Sequence, residues 1–178
     1  MKMGAKELRI VDEHQAQSRL KKLKRQPLYL ILEDVYDTYN IGGLFRLADA
    51  LAVEKVYLCG EMEIPPNSRI QKASIGTYKV VPWEYKKSAR EAIRELKKNK
   101  VKVIAVEQDK RALDYTKAEY SFPLALLVGN ETTGVKPQTL KLCDQIVEIP
   151  MWGINKSLNV IVSAAIVGYW IVSTRKAV

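Results

Sequence analysis

Asn40 and Arg46 stand six residues apart in Asn40-Ile41-Gly42-Gly43-Leu44-Phe45-Arg46. That is about two turns at roughly 3.6 residues per turn, so both side chains point toward one ligand. A guanidinium so placed can grip a phosphate through two parallel hydrogen bonds. Taken singly, Asn40 would only cap the helix that follows and Arg46 would only form a surface ion pair. A second cluster, Leu127-Val128-Gly129-Asn130-Glu131-Thr132-Thr133-Gly134, runs an apolar strand into Gly129, whose missing side chain lets a ligand approach the backbone. Glu131 then sets a carboxylate at the strand's C-terminal end, and Gly134 permits a sharp turn. By itself this pattern reads first as an ordinary βα turn with a solvated glutamate. The third cluster, Ile149-Pro150-Met151-Trp152-Gly153-Ile154-Asn155-Lys156-Ser157-Leu158-Asn159-Val160, is the most specific. A strand ends at Ile149-Pro150, a loop turns through Gly153, and Ser157 is the expected N-cap of a helix beginning Leu158-Asn159-Val160. Free amides at that start can hold a carboxylate, and the backbone near Ile149 and Met151 can read a purine edge.

The elements that must position these groups alternate along the chain. Strands are expected at Leu28 to Leu32, Lys55 to Cys59, Tyr78 to Val81, Val101 to Val106, Leu124 to Val128 and Gln145 to Ile149. Helices are expected at Gly42 to Ala52, Ser88 to Asn99, Pro137 to Leu142 and Ser157 to Ser173, with a surface loop from Glu61 to Ser68. Such alternation makes an α/β fold with a mostly parallel sheet and helices on both faces. The last helix is apolar around most of its circumference, which requires burial on several sides by the core or by a partner subunit.

Composition bounds the function. With 178 residues and 47% hydrophobic content, the chain can bury one core and has little room for a second domain. The net charge of +9 favours a polyanionic partner, although a soluble basic enzyme has the same balance. Residues 1–27 carry eight basic side chains against three acidic ones and so hold over half of that charge. They form either a basic arm that tracks phosphates or a solvated helix packing through Leu8, Leu20 and Leu23. A second basic run on the helix after Ser88 is broken by Glu91 and Glu95 and reads as a solvated face. Cys59 and Cys143 each adjoin an apolar run and are expected as core thiols rather than a disulfide or a metal pair. His14 is the only histidine, which argues against Ser-His-Asp catalysis and histidine-rich metal sites. No signal segment or membrane span is evident, so a cytoplasmic location is expected.

Together and in this order, the three clusters resemble the SpoU (TrmH-like) branch of the SPOUT RNA methyltransferases. The patterns N-x-G-x-x-x-R, V-G-x-E-x-x-G and I-P-M-x-G-x-x-x-S-L-N-V are all matched, and the likeness covers about residues 28 to 174 of a domain taken as 28–178. The resemblance implies a C-terminal deep trefoil knot, S-adenosylmethionine bound within it, and a homodimer with each active site near the subunit interface. It makes Arg46 the central catalytic residue, with Asn40, Glu131, Ser157 and Asn159 around it. Gly129, Ile149, Met151, Ser157 and Leu158 would line the cofactor pocket, joined by Leu127 and by Glu107 at the end of its strand. No metal is implied. The reaction would be methyl transfer to a ribose 2′-hydroxyl of RNA, with tRNA favoured over rRNA because no separate N-terminal RNA-binding domain is seen.

Two other classes share parts of this pattern. A nucleotide-dependent oxidoreductase should show G-x-G-x-x-G after the first strand, a spacing that Asn40-Ile41-Gly42-Gly43 does not supply. A non-catalytic RNA-binding dimer would keep the charge without needing Arg46, Glu131 and Asn159.

Overall fold

The structure, a computed structural model, describes residues 20–174, so most of the basic arm, with His14, lies outside the described residues. Seven strands form one sheet in the order β3-β2-β1-β6-β4-β7-β5, and every pairing in it is parallel. The strands are β1 (Gln26–Glu33), β2 (Val53–Cys59), β3 (Trp83–Lys86), β4 (Lys102–Val106), β5 (Leu113–Asp114), β6 (Leu124–Val128) and β7 (Gln145–Glu148). Helices α1 (Thr38–Ala50), α2 (Ser68–Ser74), α3 (Ala89–Lys98), α4 (Pro137–Leu140) and α5 (Val160–Ser173) connect or follow them.

Strands covered on both faces read as unbroken apolar runs, and β1 and β6 are of that kind. Leu28, Leu30 and Leu32 of β1, with Leu124, Leu126 and Val128 of β6, pack against α1 and α5. Ile31, Ala125 and Leu127 point the other way, into a second core with Ala89, Ala92, Ile93 and Leu96 of α3 and Leu140 of α4. Helices therefore cover both faces. The spacing of the buried α3 residues is that of an amphipathic helix, and Ser88 caps it by accepting the Glu91 amide.

Two adjacent glycines set how closely the helices meet. A Cβ on Gly42 would lie 2.5 Å from Ala73 Cβ of α2, and one on Gly43 would lie 2.3 Å from Ile161 Cδ1 of α5. The small residues thus let α1 be clasped between α2 and α5.

Several expected boundaries shift. Tyr78 to Val81 is not a strand: Thr77–Lys79 form a 3-10 turn after Gly76, which has φ 84°, and the strand begins beyond Pro82. That strand, β3, is an edge strand of alternating charge whose apolar signal is weak. Helix α1 starts four residues earlier than expected because Asp37, not Asn40, is its N-cap and accepts the Tyr39 amide. Helix α5 begins at Val160 under Asn159 rather than under Ser157. Helix α2, capped by Asn67, and the two-residue β5 were not expected. Cys59 is buried and Cys143 half-buried, and both are free. Burial pushes both thiols up, Cys143 to about 12, which leaves them unreactive near neutrality.

Candidate active site

The C-terminal ends of β4, β6 and β7 and the loop entering α5 enclose a cavity of about 390 Å³. That volume suits a small organic ligand. Its wall is built from Val106 to Gln108 after β4, Val128 to Thr132 and Gly134 after β6, Glu148, Ile149 and Met151 after β7, and Ser157 to Val160 with Ser163. Parallel strand ends open such a crevice because their outgoing loops diverge.

The loop after β6 is held by Asn130. Its Nδ2 donates to Asp34 O at 2.8 Å, and its Oδ1 accepts the amides of Thr132 and Thr133 at 2.8 and 2.9 Å. The loop closes on itself, with Gly134 N donating to Asn130 O at 2.9 Å. Gly134 has φ 66°, a region that favours glycine, and a Cβ there would meet Glu107 Oε2. Glu107 in turn accepts Val135 N on Oε2 at 2.8 Å and Gln108 N on Oε1 at 2.9 Å. Each of its oxygens keeps a lone pair for a hydroxyl donor in the cavity.

Glu131, thus presented, reaches across to the start of α1. Its Oε1 accepts Asn40 Nδ2 at 2.8 Å and Asp37 N at 3.3 Å, and its Oε2 accepts Tyr36 N at 3.3 Å. A carboxylate is favoured at a helix N-terminus by the amides that point out of it. Asn40 is 6% exposed and uses its other end as well: its Oδ1 accepts Asn159 Nδ2 at 3.0 Å. Asn159 Oδ1 accepts the Ile161 amide at 2.8 Å and so caps α5. One hydrogen-bond relay therefore joins the three sequence clusters.

Of the residues singled out from sequence, Glu107, Gly129, Glu131, Ile149, Met151, Ser157, Leu158 and Asn159 border the cavity. Asn40 stands behind them, tied to Glu131 and Asn159. Two lie elsewhere. Leu127 is fully buried in the core shared with α3, because alternation along β6 turns it away from the strand's cavity-facing neighbours. Arg46 is exposed on α1, off the cavity wall and without an ion pair or hydrogen bond among the described residues. Sequence reading missed Asn130 and the acids ending β1. Glu33 accepts Lys136 N and Thr139 Oγ1, at 3.0 and 2.7 Å. Asp34 accepts the Glu61 amide and pairs with Lys136 at 2.5 Å, holding the lysine's pKa above its ordinary value. The signal was the unusual Glu33-Asp34 pair at the end of an apolar strand.

Electrostatically the cavity opposes the chain. The net charge is +9, yet among the described residues three acidic side chains, Glu107, Glu131 and Glu148, border the cavity and no basic one does. Such a wall favours a ligand that carries positive charge and hydroxyl donors over one that carries phosphates.

Residues 27–169 match the model of the SpoU rRNA Methylase family. The chain belongs to this family. Among SpoU-type relatives, it is 32% identical over 152 residues to the 23S rRNA (guanosine-2'-O-)-methyltransferase RlmB of Ralstonia nicotianae, covering 85% of this chain and 61% of that one. It is 31% identical over 150 residues to the tRNA (guanosine(18)-2'-O)-methyltransferase of Escherichia coli strain K12, covering 82% and 63%. The chain thus spans about three fifths of the length of these curated relatives. The crystal structure of an AdoMet-bound rRNA methyltransferase from Sinorhizobium meliloti superposes with a TM-score of 0.79 at 25% identity, over 89% of this chain and 61% of that one.

Proposed function

We propose that this chain is an S-adenosylmethionine-dependent RNA methyltransferase acting on a ribose 2′-hydroxyl, with tRNA as the favoured substrate and rRNA as the alternative. The observation that carries the reading is the acidic cavity at the strand ends of a basic, SpoU-family chain. It fits a sulfonium ligand and disfavours the pyrophosphate of a nicotinamide dinucleotide. The cofactor supplies an electrophilic methyl group when bound. Gly129, Ile149, Met151 and Leu158 would hold it through the backbone, Ser157 through its hydroxyl, and Glu107 through its free lone pairs.

The remaining groups serve the nucleophile. An in-line displacement needs an aligned hydroxyl that gives up its proton. Asn40 and Asn159 fix the Glu131 carboxylate, which orients that hydroxyl. Arg46 stands off the cavity wall, so in this reading it acts from the mouth of the site, countering negative charge on the neighbouring RNA phosphate as the oxygen develops its own. A guanidinium keeps its proton to about pH 12, so its role is electrostatic rather than that of a simple base.

A homodimer and a deep trefoil knot in the C-terminal part belong to the same reading. Trp152 and Ile154, 92% and 99% exposed in the loop before α5, and the exposed Val162 and Tyr169 of α5 support a second copy packing there. The interleaved sheet order, with β7 between β4 and β5, suits the knot, a rare exception to unthreaded topology. A cytoplasmic location is also part of the proposal; no helix among the described residues is long and apolar enough to cross a membrane.

Calorimetry with S-adenosylmethionine and with NAD tests the cofactor. Transfer of labelled methyl to bulk tRNA and rRNA, followed by nucleoside mapping, tests the reaction. Binding of NAD alone, or methyl groups found only on bases, would overturn the reading.

A further inference from the structure

Tyr36 and Tyr39 are 57% and 54% exposed at the start of α1, and neither ring has a hydrogen-bond or ring partner among the described residues. Both are tied to the cavity through their backbone. Tyr36 N donates to Glu131 Oε2 at 3.3 Å, and Tyr39 precedes Asn40, whose side chain donates to Glu131 Oε1. Residues seven apart share a helix face, so Tyr39 and the exposed Arg46 stand on one stripe of α1. An aromatic ring and a cation unpaired among the described residues, on one face, suit an unstacked nucleotide: the ring takes the base and the guanidinium its phosphate.

We propose that Tyr36 and Tyr39 form the surface on which the base of the target nucleotide stacks while its ribose enters the cavity. This rests on the RNA methyltransferase reading above. A base is joined directly to its ribose, so a sugar oxygen held at Glu131 must bring the base to the cavity mouth. The two tyrosines are the exposed rings whose backbone is anchored to that carboxylate or next to its partner. Stacking is tolerant of base identity, so the rings would secure the nucleotide while flanking contacts choose it.

The test compares Tyr36→Ala, Tyr39→Ala and the corresponding Phe variants. Each alanine should raise KM for RNA about tenfold and weaken binding of a short fluorescein-labelled single-stranded oligoribonucleotide to a similar degree, while affinity for S-adenosylmethionine is unchanged. The phenylalanine variants keep the ring and should restore both. Wild-type oligonucleotide binding by the double alanine variant overturns the proposal, as does conversion of a wild-type dimer to monomers in sedimentation, which would assign the rings to a protein contact. The binding arm needs no methyl transfer. Ring-dependent binding in a protein that transfers no methyl group therefore upholds the surface and removes the enzymatic reading alone.

Discussion

The side-chain amide of Asn40 donates to the Glu131 carboxylate at 2.8 Å, joining positions 91 residues apart in the chain. Because the same amide accepts from Asn159, its donor and acceptor ends are both committed. Asn40→Ala leaves Glu131 and Asn159 each short of a partner, a loss of about 1–3 kcal/mol. The expected result is a fall of about 5 °C in Tm and a loss of turnover of about a hundredfold, with affinity for S-adenosylmethionine nearly intact. Differential scanning calorimetry, methyl-transfer kinetics and titration calorimetry check the three parts.

Arg46 should behave differently. It is exposed and unpartnered among the described residues, so Arg46→Ala should leave Tm within about 1–2 °C of the parent. Turnover should fall by at least about a hundredfold, as when a charge-stabilising donor is removed, and cofactor binding should persist. Normal methylation by this variant would take Arg46 out of the reaction.

The glycines of the cavity loops separate by what surrounds them. A Cβ on Gly129 would lie 2.4 Å from both Gly134 C and Val135 N, backbone atoms that cannot yield without moving the loop. Gly129→Ala should therefore lose about 2 kcal/mol of stability or more and weaken ligand binding. Gly153 has nothing within 4 Å of its would-be Cβ, so Gly153→Ala should be neutral. Equal effects of the two substitutions in thermal melts would contradict this account of the loop after β6.

Lys86 bonds Glu84 and Glu95 at 2.6 Å each. Its hydrogen bonds hold both carboxyls below their ordinary value of 4.5, while theirs hold the lysine above 10.5. The acidic contribution is present above about pH 4.5 and fades as the pH falls through the lowered folded values. The lysine contribution is complete below 10.5 and fades as the pH rises beyond it. Lys86→Met should flatten both edges of a Tm-against-pH profile while changing turnover little. The groups are solvated, so both slopes should be shallow and sensitive to salt.

What sequence made legible was whatever had a single physical cause. Strands β1 and β6 stood out because both faces are buried, and the βα turns because Gly129 and Gly134 interrupt apolar runs. Strand β3 was hidden because Trp83-Glu84-Tyr85-Lys86 owes its place to edge pairing and to the Lys86 ion pairs more than to burial. The caps were misassigned where two residues competed. Asp37, which accepts the Tyr39 amide, takes the place of Asn40, whose side chain is engaged with Glu131 and Asn159, and Asn159, which accepts the Ile161 amide, takes the place of Ser157. Glu33 and Asp34 act through contacts distant in sequence, betrayed only by an acidic pair at the end of an apolar strand, and Asn130 joins its own local turn to the distant Asp34 carbonyl.

The acidic wall has a kinetic corollary. On the proposed reaction a cation enters and its neutral remainder is left behind once the methyl group has gone. Glu107, Glu131 and Glu148 then lose the attraction that drew the visitor in, so the cavity turns from trap to exit without any part of the fold having to move. Spent cofactor should consequently hold on less tightly than fresh, a difference that shrinks as added salt blunts the field.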